Sequence, residues 1–242
     1  MKGLVTICAR GGSKGIPGKN IKLINGKPLI NYSLAVAEEL SKKYDLDIFL
    51  STDSQEIKDV VKASAFSEVN IEYVRPDFLA NDTAGKLDAI VDVYQFAEKA
   101  TNVNYDFVID LDVTSPLRTA DDLATSVELL FNNHEALNLF SVSPANRNPY
   151  FNMVEEKDNG YYDLCKKGQF LTRQSAPRVF DMNASFYIFK KKFFSGNHKT
   201  VIAEKSLIYE VPHLCFDLDH SIDFEFMSFL LENKKLDFDF NY

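Results

Sequence analysis

Four times before residue 132 a short apolar run is followed by an amphipathic stretch of helical length. The pairs are Leu4 to Ala9 with Leu29 to Leu40, Ile48 to Ser51 with Ile57 to Ala65, Ile71 to Val74 with Leu87 to Ala97, and Phe107 to Leu111 with Leu123 to Phe131. Strands separated by helices join one sheet by crossover connections, so they lie parallel and the helices cover both faces. The pattern therefore predicts an α/β fold with a mainly parallel sheet. In such sheets ligands sit beyond the carboxyl ends of the strands, and the strand-to-helix loops are the segments to inspect.

The alternation stops between Asn146 and Phe180, where Pro149, Gly160, Gly168, Pro177 and many polar residues replace it. It resumes with Ser185 to Phe189, Leu207 to Val211 and a final helix from about Ser221 to Asn233. No repeat, low-complexity tract or linker divides the chain. A single domain over residues 1–242 is expected, with an inserted excursion at about 146–182.

A chain of 242 residues, 45% hydrophobic and 26% charged, is long enough to bury one sizeable core. Its formal charge of −8 gives no general reward for binding nucleic acid or an anionic membrane, so any basic patch is local. Arg10 and Lys14 interrupt the first apolar stretch too early for a signal peptide, and no long apolar span follows. A cytoplasmic location is expected. Cys8, Cys165 and Cys215 are an odd set with no close pair, which points to buried thiols rather than a disulfide framework or a zinc site. The four histidines, His134, His198, His213 and His220, are scattered, and no G-x-S-x-G elbow is present.

The loop behind the first predicted strand, ICARGGSKGIPGKN from Ile7 to Asn20, holds four glycines and three basic side chains. Ser13 and Asn20 stand where a Walker loop needs Gly and Ser or Thr, and the G-x-G-x-x-G spacing is absent. What remains is the mechanism those loops share. Either glycines let backbone N–H groups turn inward while Arg10, Lys14 and Lys19 add positive charge around a triphosphate-sized anion, or the segment is a solvated glycine turn. Further along, STDS at Ser51 to Ser54 reads as a helix N-cap. In RPDFLANDTAGK, Asp82 or Thr83 caps a helix beginning near Ala84, with Arg75 and Lys86 facing the glycine loop or standing in a solvated loop.

Two D-x-D patterns complete the motif set. DLDVTSPLR places Asp110 and Asp112 at the end of the fourth long strand, and CFDLDHSIDFEF places Asp217 and Asp219 on one side of a strand. Carboxylates in this arrangement hold a divalent metal that bridges nucleotide phosphates, or form capping and salt-bridge clusters.

ARGGSKGIPGKN, STD, RP…LAND, TSPLR, RQSAPR, NASFYIF and FDLD, in this order along nearly the whole chain, resemble the acylneuraminate cytidylyltransferases, also called CMP-sialic acid synthetases. The resemblance implies a doubly wound, Rossmann-like nucleotidyltransferase sheet with a small dimerisation excursion, and a homodimer. It implies that Arg10, Ser13, Lys14 and Lys19 line the phosphates of CTP and that Asn20 helps hold the nucleotide. Arg75, Ala84 and Lys86 fall at the substrate-pocket positions. Arg173 matches a catalytic arginine that reaches into the partner's site, and Asp217 with Asp219 match a magnesium-binding pair. Asp112 and Val113 depart from the Gln-Pro or Gln-Ala that usually precedes TSP. A carboxylate there accepts the cytosine amino group or joins a second metal site.

NRNPYFNMVEE and RQSAPRVFDMNAS resemble the branch that activates N,N'-diacetyllegionaminic acid, with N-acetylneuraminate and pseudaminate as the alternatives. The implied reaction is attack of the C2 hydroxyl of a nine-carbon sugar acid on the α-phosphate of CTP. Three rivals stay open: a metal-dependent glycosyltransferase built on Asp110 and Asp112, a non-catalytic nucleotide-binding protein, and a cytidylyltransferase for the eight-carbon acid Kdo.

Overall fold

A computed structural model describes residues 1–12, 15–81, 83–168, 170 and 172–240, with Arg173 described by its backbone alone. The elements follow in chain order. Strand β1 (Lys2–Cys8) leads into a small hairpin, β2 (Leu23–Ile24) with β3 (Lys27–Pro28), and then α1 (Leu29–Ser41). Next come β4 (Asp45–Ser51), α2 (Gln55–Ala63), β5 (Val69–Asn70), α3 (Lys86–Thr101), β6 (Phe107–Asp112) and α4 (Ala120–Asn132). The second half holds β7 (Asn138–Pro144), a hairpin of β8 (Val154–Glu156) and β9 (Tyr162–Leu164), then β10 (Phe180–Lys190), β11 (Ser206–Glu210) and α5 (Ser221–Glu232).

Seven strands form one sheet in the order β11-β7-β10-β6-β1-β4-β5. β1 pairs in parallel with both β4 and β6, β4 with β5, and β11 with β7, whereas β10 runs antiparallel between β6 and β7. The mainly parallel sheet expected from the alternation is therefore present. The chain moves outward from β1 to β4 and β5, then returns through α3 to place β6 on the other side of β1. This reversal opens a crevice at the carboxyl ends of β1 and β6, where a ligand contacts several loops at once.

Period-two alternation sorts the strand residues between two cores. Val5, Ile7, Ile109 and Leu111 pack with residues of α1, α2, α4 and α5 on one face. Leu4, Val108, Phe49 and Tyr187 pack with Ile90, Val93 and Tyr94 of α3 on the other. Thr6 and Asp110 share the α3 face by the same alternation, and both are fully buried.

Helix ends follow local chemistry. The Ser54 hydroxyl accepts from Ile57 N at 3.4 Å and caps α2, as the STDS motif predicts. Thr119 and Asp122 form a capping box on α4. The α3 expectation needs correction: the helix begins at Lys86 with Gly85 at its N-cap, and the cap of the preceding turn is Asn81, whose Oδ1 accepts from Thr83 N and Ala84 N at 2.9 Å. Asp82 lies outside the described residues.

The third predicted strand also shifts, since pairing ends at Asn70 and Ile71 to Val74 run off the sheet edge. Between β7 and β10 the β8–β9 hairpin is the only sheet among the described residues, and β10 begins at Phe180, inside the 146–182 range expected for the excursion.

Candidate functional site

A cleft of about 430 Å3 opens at the carboxyl ends of β1 and β6. Of the residues singled out in the sequence, Arg10, Lys19, Asn20, Arg75, Ala84, Lys86, Asp112 and Asp219 all line it. Ser13 and Lys14 lie outside the described residues, as does the side chain of Arg173.

The glycine loop forms the first wall, and its backbone is fastened at several points. Gly11 N donates to Asp53 Oδ1 at 2.8 Å, and the Asn20 amide donates to Arg10 O at 2.9 Å. A Cβ on Gly11 would stand 2.9 Å from the Ser54 Cβ, so the close approach of loop to α2 requires glycine here. Gly18 adopts a φ of +62° at the start of the turn carrying Lys19 and Asn20. Asn20 is thus buried as a brace inside the loop. Arg75, 6% exposed, is held against the end of β4 by Nε to Ser51 Oγ and Nη2 to Ser51 O, both 3.0 Å.

The second wall is a chain of charges on the α3 face. Thr6 Oγ1 donates to Asp110 Oδ1 at 2.8 Å, while Lys86 Nζ lies 3.3 Å from Asp110 Oδ2 and 2.6 Å from Asp112 Oδ2. The remaining oxygen of Asp112 accepts from both N and Oγ1 of Thr114 at 2.8 Å. Burial opposes the Lys86 ammonium, but Asp112 and Asp110 outweigh it and hold its proton well above the ordinary lysine range. Burial likewise opposes the Asp112 carboxylate, yet Lys86 and Thr114 pull it down to about 2.

Lys86 therefore neutralises this D-x-D rather than facing the glycine loop as a lone cation. A metal-dependent glycosyltransferase needs that pair for its cation, and here a lysine occupies it. At the cleft floor, burial and then Asp110 push the Cys8 thiol up to about 12, which leaves it protonated and unreactive. All three cysteines are free and only partly buried.

The third wall corrects another expectation, because residues 213–219 form no strand. This segment is irregular and is pinned to the turn after β6 by Leu218 N donating to Thr114 O at 2.8 Å. Asp223 Oδ2 accepts from Asp219 N and His220 N at 2.9 and 2.7 Å, capping α5. Asp219 faces the cleft and meets Lys19 Nζ at 3.0 Å.

Asp217 Oδ1 is buried and has no hydrogen-bond partner. Burial, then the charges of Asp112 and Asp219, raise the Asp217 carboxyl to about 6. An uncompensated carboxylate oxygen with a second carboxylate two residues on is the donor set that a hard divalent cation favours. No group of three or more His, Cys, Asp or Glu among the described residues forms a metal cluster. Magnesium commonly takes one or two protein carboxylates, with water and substrate phosphates for the rest, so the pair fits.

Among the cleft residues that the motif reading did not single out are three with polar side chains, Cys8, Asn81 and Thr114. Cys8 ends β1 on the face of Thr6, which alternation could have revealed. Asn81 and Thr114 belong to LAND and TSPLR, where the neighbouring charges drew the attention. His213 has a structural part, with Nε2 2.9 Å from Asp122 Oδ2 and its ring stacked on Phe238.

Comparison with known proteins agrees with this geometry. A family model described as cytidylyltransferase matches residues 4–236. Post-translational flagellin modification protein B of Campylobacter coli is 39% identical over 233 residues, covering 96% of each chain. CMP-N,N'-diacetyllegionaminic acid synthase of Campylobacter jejuni has the same identity and coverage. In three dimensions the chain resembles a CMP:2-keto-3-deoxy-manno-octonic acid synthetase complexed with CTP, at a TM-score of 0.68 and 17% identity, over 97% of this chain and all of the other. That likeness is one of fold.

Proposed function

From the premise that the chain belongs to the cytidylyltransferase family, we propose that it joins CTP to a nine-carbon 2-keto sugar acid, N,N'-diacetyllegionaminate, giving a CMP-sugar and pyrophosphate. The observation that carries this reading is the convergence of Arg10, Lys19, Asn20, Arg75 and Asp219 on one cleft at the sheet's reversal point. The sugar assignment is supported by the 39% identity to a protein of that name over 96% of both chains. N-acetylneuraminate and pseudaminate are the alternatives within the same reaction.

Nucleotidyl transfer asks for positioning and charge stabilisation more than covalent chemistry. In the proposed reaction the C2 hydroxyl oxygen of the sugar attacks the α-phosphorus, the bond to the bridging oxygen of the β-phosphate breaks, and pyrophosphate departs. Arg10, Lys19 and the loop N–H groups, with Ser13 and Lys14 from the same motif, bind the triphosphate and stabilise the departing charge. Asn20 and Asp53 keep the loop in the shape that presents those groups. Arg75, Ala84 and Lys86 form the nucleotide side of the cleft.

Asp112, ionised throughout the working pH range, offers an acceptor to a substrate N–H or O–H. Asp217 and Asp219 are the residues to hold magnesium. When bound there, the cation neutralises phosphate charge and acidifies the attacking hydroxyl.

The proposal includes a homodimer, with Arg173 acting in the partner's site. It is supported by exposed apolar side chains around the excursion and sheet end, among them Val154 at 61%, Tyr162 at 66% and Ile202 at 54%. No described helix is long and apolar enough to cross a membrane, and a cytoplasmic location belongs to the same proposal.

The test is incubation with CTP and magnesium against N-acetylneuraminate, diacetyllegionaminate, pseudaminate and Kdo in separate pools, with Asp219→Asn as control. Pyrophosphate release and a CMP-sugar mass with diacetyllegionaminate are expected. No product from any acid, with folded protein that binds CTP, contradicts the reading.

A further inference from the structure

Arg118, the last residue of TSPLR, is fully buried and does not itself line the cleft. Its Nη1 donates to Ser115 O at 2.7 Å, to Ser185 O at 2.8 Å and to Ser185 Oγ at 3.1 Å. Its Nη2 donates to Ser33 Oγ at 2.5 Å and to Asp112 O at 2.9 Å. One guanidinium therefore ties together the end of β6, the turn behind it, α1 and β10.

The partners also bind each other. Ser33 Oγ donates to Asp112 O at 3.1 Å, and Ser185 Oγ to Ser115 O at 2.9 Å. Ser185 follows Ala184, whose φ of +54° marks the register shift of β10 that turns Ser185 toward the cluster.

The backbone held in this way bears Asp112 and anchors the segment of Asp217 and Asp219 by one hydrogen bond. Asp112 projects from it, Thr114 fixes the Asp112 carboxylate, and Thr114 O receives Leu218 N between Asp217 and Asp219. A planar fork with several donors can span such a junction, whereas the single ammonium of lysine cannot.

We propose that Arg118 is a positioning residue of the transfer reaction, setting Asp112, Asp217 and Asp219 through the backbone of residues 112–115. This inference rests on the reading of Asp217 and Asp219 as the magnesium pair. Loss of the fork leaves the nucleotide loop intact and displaces the carboxylates, and misplacement of about 1 Å costs on the order of 100-fold in rate.

The experiment compares Arg118→Met and Arg118→Lys with Leu130→Ala, a core substitution in the last turn of α4 that lowers stability without touching the turn. Three quantities are measured: CTP affinity without metal by calorimetry, Mn2+ affinity of the CTP complex by electron paramagnetic resonance, and kcat with KM. For Arg118→Met, metal-free CTP affinity within about 3-fold of the parent is expected, with Mn2+ affinity down at least about tenfold and kcat down about 100-fold. Arg118→Lys recovers part of both, and Leu130→Ala leaves both within about 3-fold.

Equal kcat and Mn2+ affinity in Arg118→Met and Leu130→Ala overturn the proposal, as does a fall in CTP affinity matching the fall in kcat. Should Arg118→Met not fold, Ser33→Ala and Ser185→Ala each remove one acceptor and keep the fork; a kcat loss of about 3- to 10-fold at unchanged CTP KM supports the proposal, and no loss refutes it. If the parent CTP complex binds no Mn2+, the metal reading fails on its own, and the kcat comparison still decides whether Arg118 positions Asp112.

Discussion

Replacing Asp217 by Asn should make the metal-free protein more stable at neutral pH while removing its turnover. Burial, then Asp112 and Asp219, raise the Asp217 carboxyl from 3.8 to about 6. Between those values the folded protein still holds a proton that the unfolded chain has released. The stability linked to this group is therefore complete below about pH 4 and is lost as pH rises through about 6.

A shift of about 2 units corresponds to about 3 kcal/mol, which partial exposure to solvent and counter-ions reduces to roughly 1–2 kcal/mol. Asparagine keeps the shape and removes the charge. At pH 7.5 the variant should be more stable by that amount, or roughly 3–6 °C in Tm for a domain of this size.

The assay is thermal and urea unfolding of parent and variant in EDTA across pH 3.5–8, with the gain vanishing below about pH 4. A variant less stable at pH 7.5, or a gain that does not change with pH, refutes the electrostatic argument.

Four further outcomes follow from the same contacts. Lys86→Met strands Asp110 and Asp112 beside each other, and urea titration should show a loss of about 3–5 kcal/mol, reduced when Asp112→Asn is added. Asp53→Ala removes the acceptor for Gly11 N and should raise the KM for CTP by about 3- to 10-fold at a stability cost of about 1 kcal/mol; an unchanged KM detaches the loop from Asp53. Lys14→Ala should impair CTP handling in steady-state kinetics, and unchanged constants would assign the glycine loop elsewhere. Mixing inactive Arg173→Ala with inactive Asp219→Asn should restore part of the activity in verified heterodimers, and no recovery places Arg173 in its own chain's site.

The sheet was legible because alternation and helix-length spacing are local signals. They located β1, β4, β6 and the crevice beyond them. What they did not reveal depends on long-range pairing. Lys86 meets Asp112 only because α3 crosses the sheet and starts beside the end of β6, so its neutralising part was invisible in RPDFLANDTAGK.

Asp217 and Asp219 looked like strand residues since D-x-D satisfies period two. In the fold their segment hangs on Thr114 O and ends at the α5 cap, and no neighbouring strand completes a ladder. Arg118 stood in the sequence only as the last residue of TSPLR, with no part of its own. Its burial comes from Ser33 and Ser185, 85 and 67 residues away.

Transfer of the cytidylyl group in this cleft releases the outer two phosphates together. The most direct measurement follows α-labelled and γ-labelled CTP separately through reaction with diacetyllegionaminate and magnesium. The α label is expected in the CMP-sugar and the γ label in pyrophosphate. Release of the γ label as inorganic phosphate with formation of CDP, or an α label that never joins the sugar, would contradict this transfer.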